Sequence, residues 1–383
     1  MSALGRFVVL YALLYGGFGT SSPFMPRFFE SRGFSAEQIG WLFGLGTVVR
    51  LFAAPVAGRL ADLLRALRAV LALCMLAGAA VAVGLVRADG VRVLLAIGLV
   101  HAAVVAPTTI LADALAVAAS RRPAGGFEYG WVRGAASASF VAGSLVAGRV
   151  LGSAPLDAVV WMHAALLAAA ALAVPLVPPV DSRAADRAPV GGVRELVGIA
   201  PYRRLVAVAA LVLGSHAMHD AFAMVRWNAA GIGPGAASVL WSEAVAAEVL
   251  VFFVVGPALL GRVAPGSAMM LAASAGVIRW TTMSATTSLA ALAVVQPLHG
   301  CTFALLHLAC MRVIGATVPP RLAGTAQSLY AAGATAVTGA LTMASGVLYG
   351  RLGARGFVVM ALLCALAVPL ARGIRAGAKA MEL

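Results

Sequence analysis

Apolar runs long enough to cross a lipid bilayer follow one another along almost all of this 383-residue chain. About 20 apolar residues in a helix match a hydrocarbon core of ~30 Å. Lipid offers no water to backbone N–H and C=O groups, so a spanning segment must be a helix or part of a closed barrel. Barrel strands alternate apolar and polar residues, and that pattern is absent here. The spans read near 6–26, 37–60, 67–87, 92–119, 128–150 and 155–177, then 203–228, 236–261, 266–284, 288–314, 322–350 and 354–373. Composition agrees, with 62% hydrophobic and 11% charged residues where a soluble domain carries about a quarter charged. The expected fold is all-α, a polytopic membrane protein with twelve transmembrane helices.

The longest polar, proline-containing stretch is 178–202. It divides the chain into an N-terminal six-helix bundle (1–177), a cytoplasmic linker (178–202) and a C-terminal six-helix bundle (203–383). The halves echo each other. IGWLFGLGTVVRLF from Ile39 and ASVLWSEAVAAEVL from Ala237, laid side by side, set Arg50 opposite Glu248. Two pseudo-symmetric bundles related by an axis along the membrane normal are expected. Basic residues favour alternate loops, among them Arg59, Arg65, Arg68, Arg121, Arg122, Arg183, Arg187, Arg203 and Arg204, with Arg375 and Lys379 near the end. The positive-inside bias therefore puts both termini in the cytoplasm.

A net charge of +14 could suggest nucleic acid, but the charges sit singly at helix ends and form no compact basic face. Cys74, Cys301, Cys310 and Cys364 lie in apolar runs at no zinc-like spacing and read as small buried hydrophobes. Arg6 precedes an apolar run without an obvious small-residue cleavage site, so an uncleaved first span is expected. No cofactor or metal is expected. The sequence does not specify an oligomeric state, and a monomer is the simplest expectation.

Against this apolar background Arg50, Asp113, Arg133, His216, Glu243, Glu248, Arg279, His299 and His307 are stranded inside spans, and intramembrane charge is by default a functional signal. Asp113 and Arg133 fall at the same end of adjacent spans and can pair; Glu248 and Arg279 are the matching pair in the second half. Pairing spares each partner the cost of an isolated buried charge. Gln296, His299, Phe303 and His307 follow helical spacing in span ten, as do Arg133, Ser137, Phe140 and Ser144 in span five. Tyr11, Tyr15, Phe18 and Ser22 do so in span one, where packing is the favoured explanation. The competing explanation for the charge pairs is a structural bridge, and for the histidines a neutral hydrogen bond across helices. His216, His219 and Asp220 share a helix face towards the outer end of span seven. Without a ligand from another helix they make a poor metal site. Glycines from Gly134 to Gly148 and from Gly333 to Gly350 suit close packing in lipid.

After span two the chain reads Gly58-Arg-Leu-Ala-Asp62, with Arg65 and Arg68 beyond. This resembles the loop signature of the major facilitator superfamily, although Leu63 stands where a basic residue is expected and Ala66 where a glycine is. The segments DALA from Asp113, YGWVRGAASASFVAGS from Tyr129, GSHA from Gly214, AEVLVFF from Ala247, VIRW from Val277 and LHGCTFALLHLACMR from Leu298 resemble the phenylpropionate permeases. That family groups with lactose-permease-like and nucleoside proton symporters. The resemblance is densest from Gly214 to Arg312. It implies proton coupling through Glu248, Asp113, His299 and His307. It implies substrate binding by Arg133 and Arg279, with His216 on a family-like position, and the loop signature implies a gating loop at Gly58, Asp62 and Arg68. Arg50, opposite Glu248, and Tyr15, in the span-one stripe, join the substrate-binding candidates by their placement. Two departures stand out: His219-Asp220 replaces an aromatic position, and span ten lacks the acid that lactose permeases place beside their histidine.

The resulting expectation is an inner-membrane symporter that moves a small organic solute, such as an aromatic carboxylic acid, with protons by alternating access. A proton-driven exporter is weakened by the absence of proline from span five; a sugar or nucleoside uptake carrier is a further alternative. An embedded enzyme is not expected, because the loops are short and no nucleophile–base pair stands out.

Overall fold

The computed structural model describes residues 1–122, 126–179 and 192–374. Arg183, Arg187, Arg375, Lys379 and residues 180–191 of the expected linker lie outside them. Every element among the described residues is helical. The order is α1 (Ala3–Ser21), α2 (Met25–Ser31), α3 (Ala36–Leu64), α4 (Leu67–Arg87), α5 (Val91–Ser120), α6 (Tyr129–Val150) and α7 (Asp157–Ala173). After α8 (Val193–Gly198) come α9 (Ala200–Gly214), α10 (Ala217–Ala229), α11 (Pro234–Leu250), α12 (Gly256–Leu260) and α13 (Pro265–Ala285). The chain closes with α14 (Leu289–Val295), α15 (Leu306–Thr317), α16 (Ala323–Leu352) and α17 (Gly356–Arg372).

Helices or consecutive helices cover each expected span. By length and composition, nine segments among the described residues can cross a membrane. α6 and α13 are not among them, and residues 320–372 count as a single stretch. Gly353, with φ of 56°, breaks that stretch into α16 and α17; a left-handed turn of this kind suits a residue without Cβ.

Three spans are broken rather than straight, and the breaks lie beside the stranded charges. α11 passes into a π-turn at Val251–Val255 before Pro257. α14 passes through a 3-10 turn at Gln296–Leu298 and a π-turn at Cys301–Leu305 before α15. Proline supplies no N–H to the preceding turn, so the local ladder must rearrange; π-turns are frequent at functional sites. α9 gives way to α10 at Ser215–His216, where Ser215 Oγ donates to the Val212 carbonyl at 2.7 Å.

The chain forms two compact units. The first comprises Met1–Ser35, Leu45–Ala185 and Trp227–Ser242. In it α1 lies against α6, because Gly16, Gly19 and Gly143 let the two backbones meet: a Cβ on Gly143 would strike the Gly16 carbonyl. The second comprises Ala36–Gly44, Asp186–Arg226 and Glu243–Leu383. There a Cβ on Gly300 would stand 2.7 Å from the Ala247 carbonyl, so the α14–α15 segment touches α11 where only glycine fits. Of the glycines expected to pack, Gly143, Gly148 and Gly346 do so tightly, whereas Gly134 faces open space.

Candidate functional site

Each unit carries one polar cluster built around an arginine. In the first unit, the α1–α6 contact brings two tyrosines of α1 to a carboxylate of α5 and an arginine of α6. Asp113 Oδ1 accepts from Tyr11 at 2.5 Å and from Tyr129 at 2.7 Å, and lies 3.7 Å from Arg133 Nη1. Arg133 Nη1 donates to the Tyr15 hydroxyl at 2.5 Å, and its guanidinium lies 5.3 Å from the Tyr15 ring centroid. Tyr11 and Tyr15 stack at 5.7 Å. The expected Asp113–Arg133 pair is present, but phenols hold it. Its side chains are 35% and 41% exposed, so the cluster is open to a ligand.

In the second unit the arginine is wholly buried. Arg279, at 0% exposure, projects from α13 into a ring of polar groups. Arg279 Nη2 donates to Gln296 Oε1 at 2.7 Å and lies 3.3 Å from His219 Nε2, while Nη1 is 3.1 Å from His299 Nδ1. Its guanidinium also covers Trp280 at 4.5 Å. His299 Nε2 is 3.3 Å from Glu248 Oε2, and His219 Nδ1 is 3.1 Å from Asp220 Oδ1. The expected direct Glu248–Arg279 pair is thus replaced by a chain, with His299 between the two charges. Guanidinium only donates, so His299 Nδ1 accepts from Arg279 and Nε2 carries the proton that points at Glu248. The histidine of span ten finds its acid on α11, one helix away.

The remaining site candidates sort by their contacts. His216 is buried, its Nδ1 near the Val212 carbonyl at 3.1 Å and its Nε2 2.9 Å from Thr302 Oγ1. It packs edge-on to Trp280 and His299; with both nitrogens engaged it supports the cluster from behind rather than facing a ligand. His307 Nδ1 is 3.2 Å from the Tyr330 hydroxyl. In the expected gating loop Gly58 and Asp62 continue α3, and Arg68 Nη1 donates to the Val177 carbonyl at 3.0 Å. Glu243 makes no hydrogen bond or ion pair among the described residues and stands apart from the cluster.

Two parts of the site escaped the sequence. Tyr11 and Tyr129 bind Asp113, where packing was the favoured explanation for the first and the second went unnoticed; Tyr129 lies one helical turn before Arg133, which could have flagged it. His219 and Asp220 belong to the Arg279 cluster, His219 by direct contact with Arg279 and Asp220 through His219. His101 and His163 were also missed, though they sit in apolar runs like the rest.

Comparison with known proteins places this geometry. A sequence profile described as the MFS_1 like family matches residues 4–359. A protein of Escherichia coli strain K12, a probable 3-phenylpropionic acid transporter, is 31% identical over 369 residues, 94% of this chain and 93% of the relative. A maltose permease of Geobacillus stearothermophilus is 25% identical, covering 85% and 82%. Among solved structures the nucleoside transporter NupG superposes with a TM-score of 0.81 over the whole of both chains at 16% identity. A bacterial homologue of the lysosomal transporter Spinster, captured facing inward and occupied, gives 0.68 over 98% and 97% at 15% identity. At such identities the structural matches speak for the fold, while the profile and the E. coli relative carry the family. The chain belongs to the MFS_1 like family and is a multi-pass membrane transporter of the major facilitator type, not an enzyme.

Proposed function

We propose that this transporter is a proton-coupled symporter that takes up a small organic acid, with an aromatic carboxylate as the reference substrate, by alternating access. The observation that carries the reading is the Glu248–His299–Arg279 chain. The Nδ1 lone pair of neutral His299 is occupied by Arg279, so a proton can settle there only if Arg279 lets go. Protonation and release of an arginine hand are then one event. The freed Nη1 can meet a carboxylate through charge-assisted hydrogen bonds, and cargo and proton become mutually dependent. Glu248 holds the far side of the imidazole and stabilises the imidazolium that forms.

Arg133, Arg279 and Arg50 serve as the arginines available to the anion, with Tyr15 positioning Arg133. Asp113 and His307 are secondary proton sites, and His216 with Thr302 fixes the ring of His299. The two halves, 1–177 and 203–383, are the moving parts, joined through 178–202. Gly58, Asp62 and Arg68 form the gate on the cytoplasmic side. The protein works as a monomer in a bacterial inner membrane with both termini inside. The E. coli relative, a probable 3-phenylpropionic acid transporter, supports the choice of acid, and that protein's likeness extends over nearly the whole chain.

Proteoliposomes test this directly. With an inward proton gradient, wild type should accumulate labelled 3-phenylpropionate above equilibrium. Glu248→Gln should still exchange it, but with accumulation reduced at least about tenfold, equivalent to ~1.4 kcal/mol of lost coupling. Full gradient-driven accumulation by Glu248→Gln would remove the coupling assignment; accumulation of maltose or nucleosides alone would replace the substrate.

A further inference from the structure

The first unit holds a second group of titratable side chains that neither the Asp113 cluster nor the symport reading uses. His163 of α7 is buried, and its Nδ1 lies 2.8 Å from the Gly17 carbonyl and 3.1 Å from Ser21 Oγ. A carbonyl only accepts, so Nδ1 carries hydrogen and His163 Nε2 is left with a lone pair. That lone pair faces His101 Nε2 of α5 at 3.2 Å, so His101 donates through Nε2. Its own Nδ1 is therefore a lone pair, and it has no hydrogen-bond partner among the described residues. Ser21 spends its hydroxyl proton on the Gly17 carbonyl at 3.0 Å, which leaves its oxygen to receive from His163. Every proton in the group is thus assigned, and the one vacancy is at His101.

α3 passes α5 beside this pair: a Cβ on Gly46, one helical turn before Arg50, would stand 3.4 Å from the Cβ of Ala102, the neighbour of His101. The Arg50 side chain is exposed and makes no hydrogen bond or ion pair among the described residues. Arg133 has Asp113 and Tyr15, and Arg279 has Gln296 and two imidazoles; Arg50 alone of these three arginines lacks any such contact. An isolated arginine at the centre of a membrane helix costs about 2.5–3.5 kcal/mol on insertion scales. Such a charge is retained when something other than the protein supplies the anion. His101 faces Arg50 from α3 and His163 from α7, while α1 contributes only the neutral Ser21 and Gly17 groups.

We propose that Arg50 and His101 form a carboxylate subsite that takes up a proton together with its anion, with His163 fixing the orientation of His101. This rests on the organic-acid reading and adds to it a second proton-taking position. Two positive charges side by side repel, so a proton on His101 Nδ1 is favourable only when an anion lies against Arg50. Once protonated, Nδ1–H and the guanidinium donate to the same carboxylate. Occupancy by the acid and protonation of the imidazole therefore rise together.

Isothermal titration of the purified full-length protein in nanodiscs, with acetate, benzoate and 3-phenylpropionate as probes, tests the subsite. Paired buffers of different ionisation enthalpy report proton uptake across about pH 5.5–8, the range in which imidazoles titrate. Wild-type affinity should rise as pH falls, and Arg50→Gln should weaken benzoate at least about tenfold while its melting temperature stays near wild type. Glu248→Gln should still take up protons on binding, and adding His101→Asn to it should lower that uptake by about one proton per acid bound at unchanged high-pH affinity. His101→Gln repeats the arm should the asparagine variant misfold. Proton uptake unchanged by the added His101 substitution, or normal benzoate affinity in Arg50→Gln, overturns the subsite and leaves the symport reading intact. Failure of wild type to bind any of the three acids overturns both.

Discussion

The clusters around Arg133 and Arg279 pair the same charges with different intermediaries. Asp113 and Arg133 are held by the phenols of Tyr11, Tyr15 and Tyr129; Glu248 and Arg279 are joined through the imidazole of His299. A free phenol titrates near 10, far above working pH, whereas imidazole titrates near 6.5. On the proposed symport, the first cluster serves to position the ligand and the second to exchange a proton as well.

The largest expected effect comes from the centre of the buried cluster. Arg279→Gln should destabilise the protein by about 1–3 kcal/mol, because it leaves the buried Gln296, His219 and His299 acceptors without their donor. Uptake should fall below detection in proteoliposomes. Arg279→Lys should not rescue it, since an ammonium cannot serve Gln296, His219 and His299 from fixed directions. Near wild-type uptake in the lysine variant would show that only the charge matters and would erase the contrast with Arg133.

His299→Asn is next. It keeps a polar side chain but removes the titrating bridge, so pH dependence of uptake should flatten while exchange persists. The sign follows from the chain: wild-type uptake rises as external pH falls, because acid loads His299 and frees Arg279. A variant that keeps the slope would move the proton site elsewhere. Gly300→Val should act on the same contact at one remove. Its branched side chain would collide with the Ala247 carbonyl and push His299 away from Glu248, with overpacking costing about 1–3 kcal/mol. Gly58→Ala, which meets open space, is the matched control in melting experiments.

The smallest effect belongs to the phenol-held cluster. Tyr129→Phe removes one of two hydrogen bonds to Asp113 Oδ1, and interhelical bonds in membrane proteins average about 0.6 kcal/mol. KM for the acid should rise a few-fold with the pH profile unmoved. A shifted profile would make the two units alike in mechanism and undo the comparison.

Much of this was readable in advance because lipid imposes simple rules. Spans follow from apolar length, and stranded charges announce themselves by their cost. Asp113–Arg133 was anticipated from depth alone, since both residues lie at the same end of neighbouring helices. The Glu248–Arg279 link was anticipated in its ends but not its middle. His299 lies on the α14–α15 segment, and its reach to α11 depends on Gly300 and on turns that helical periodicity does not contain. The link from Asp220 through His219 to Arg279 was not anticipated, because it joins α10 to α13 by packing. His101 and His163 face each other only through the packing of α5 and α7.

The sequence by itself determined the helical fold, the positions of most spans and the set of intramembrane charges, because each is a local consequence of keeping polar groups out of lipid. Only the tertiary structure decided which charge meets which, through close glycine contacts and broken helices that set distances to within an ångström. Hydrogen-bond direction is decided at that scale, and with it the difference between a carboxylate held by phenols and one joined to its arginine through an imidazole.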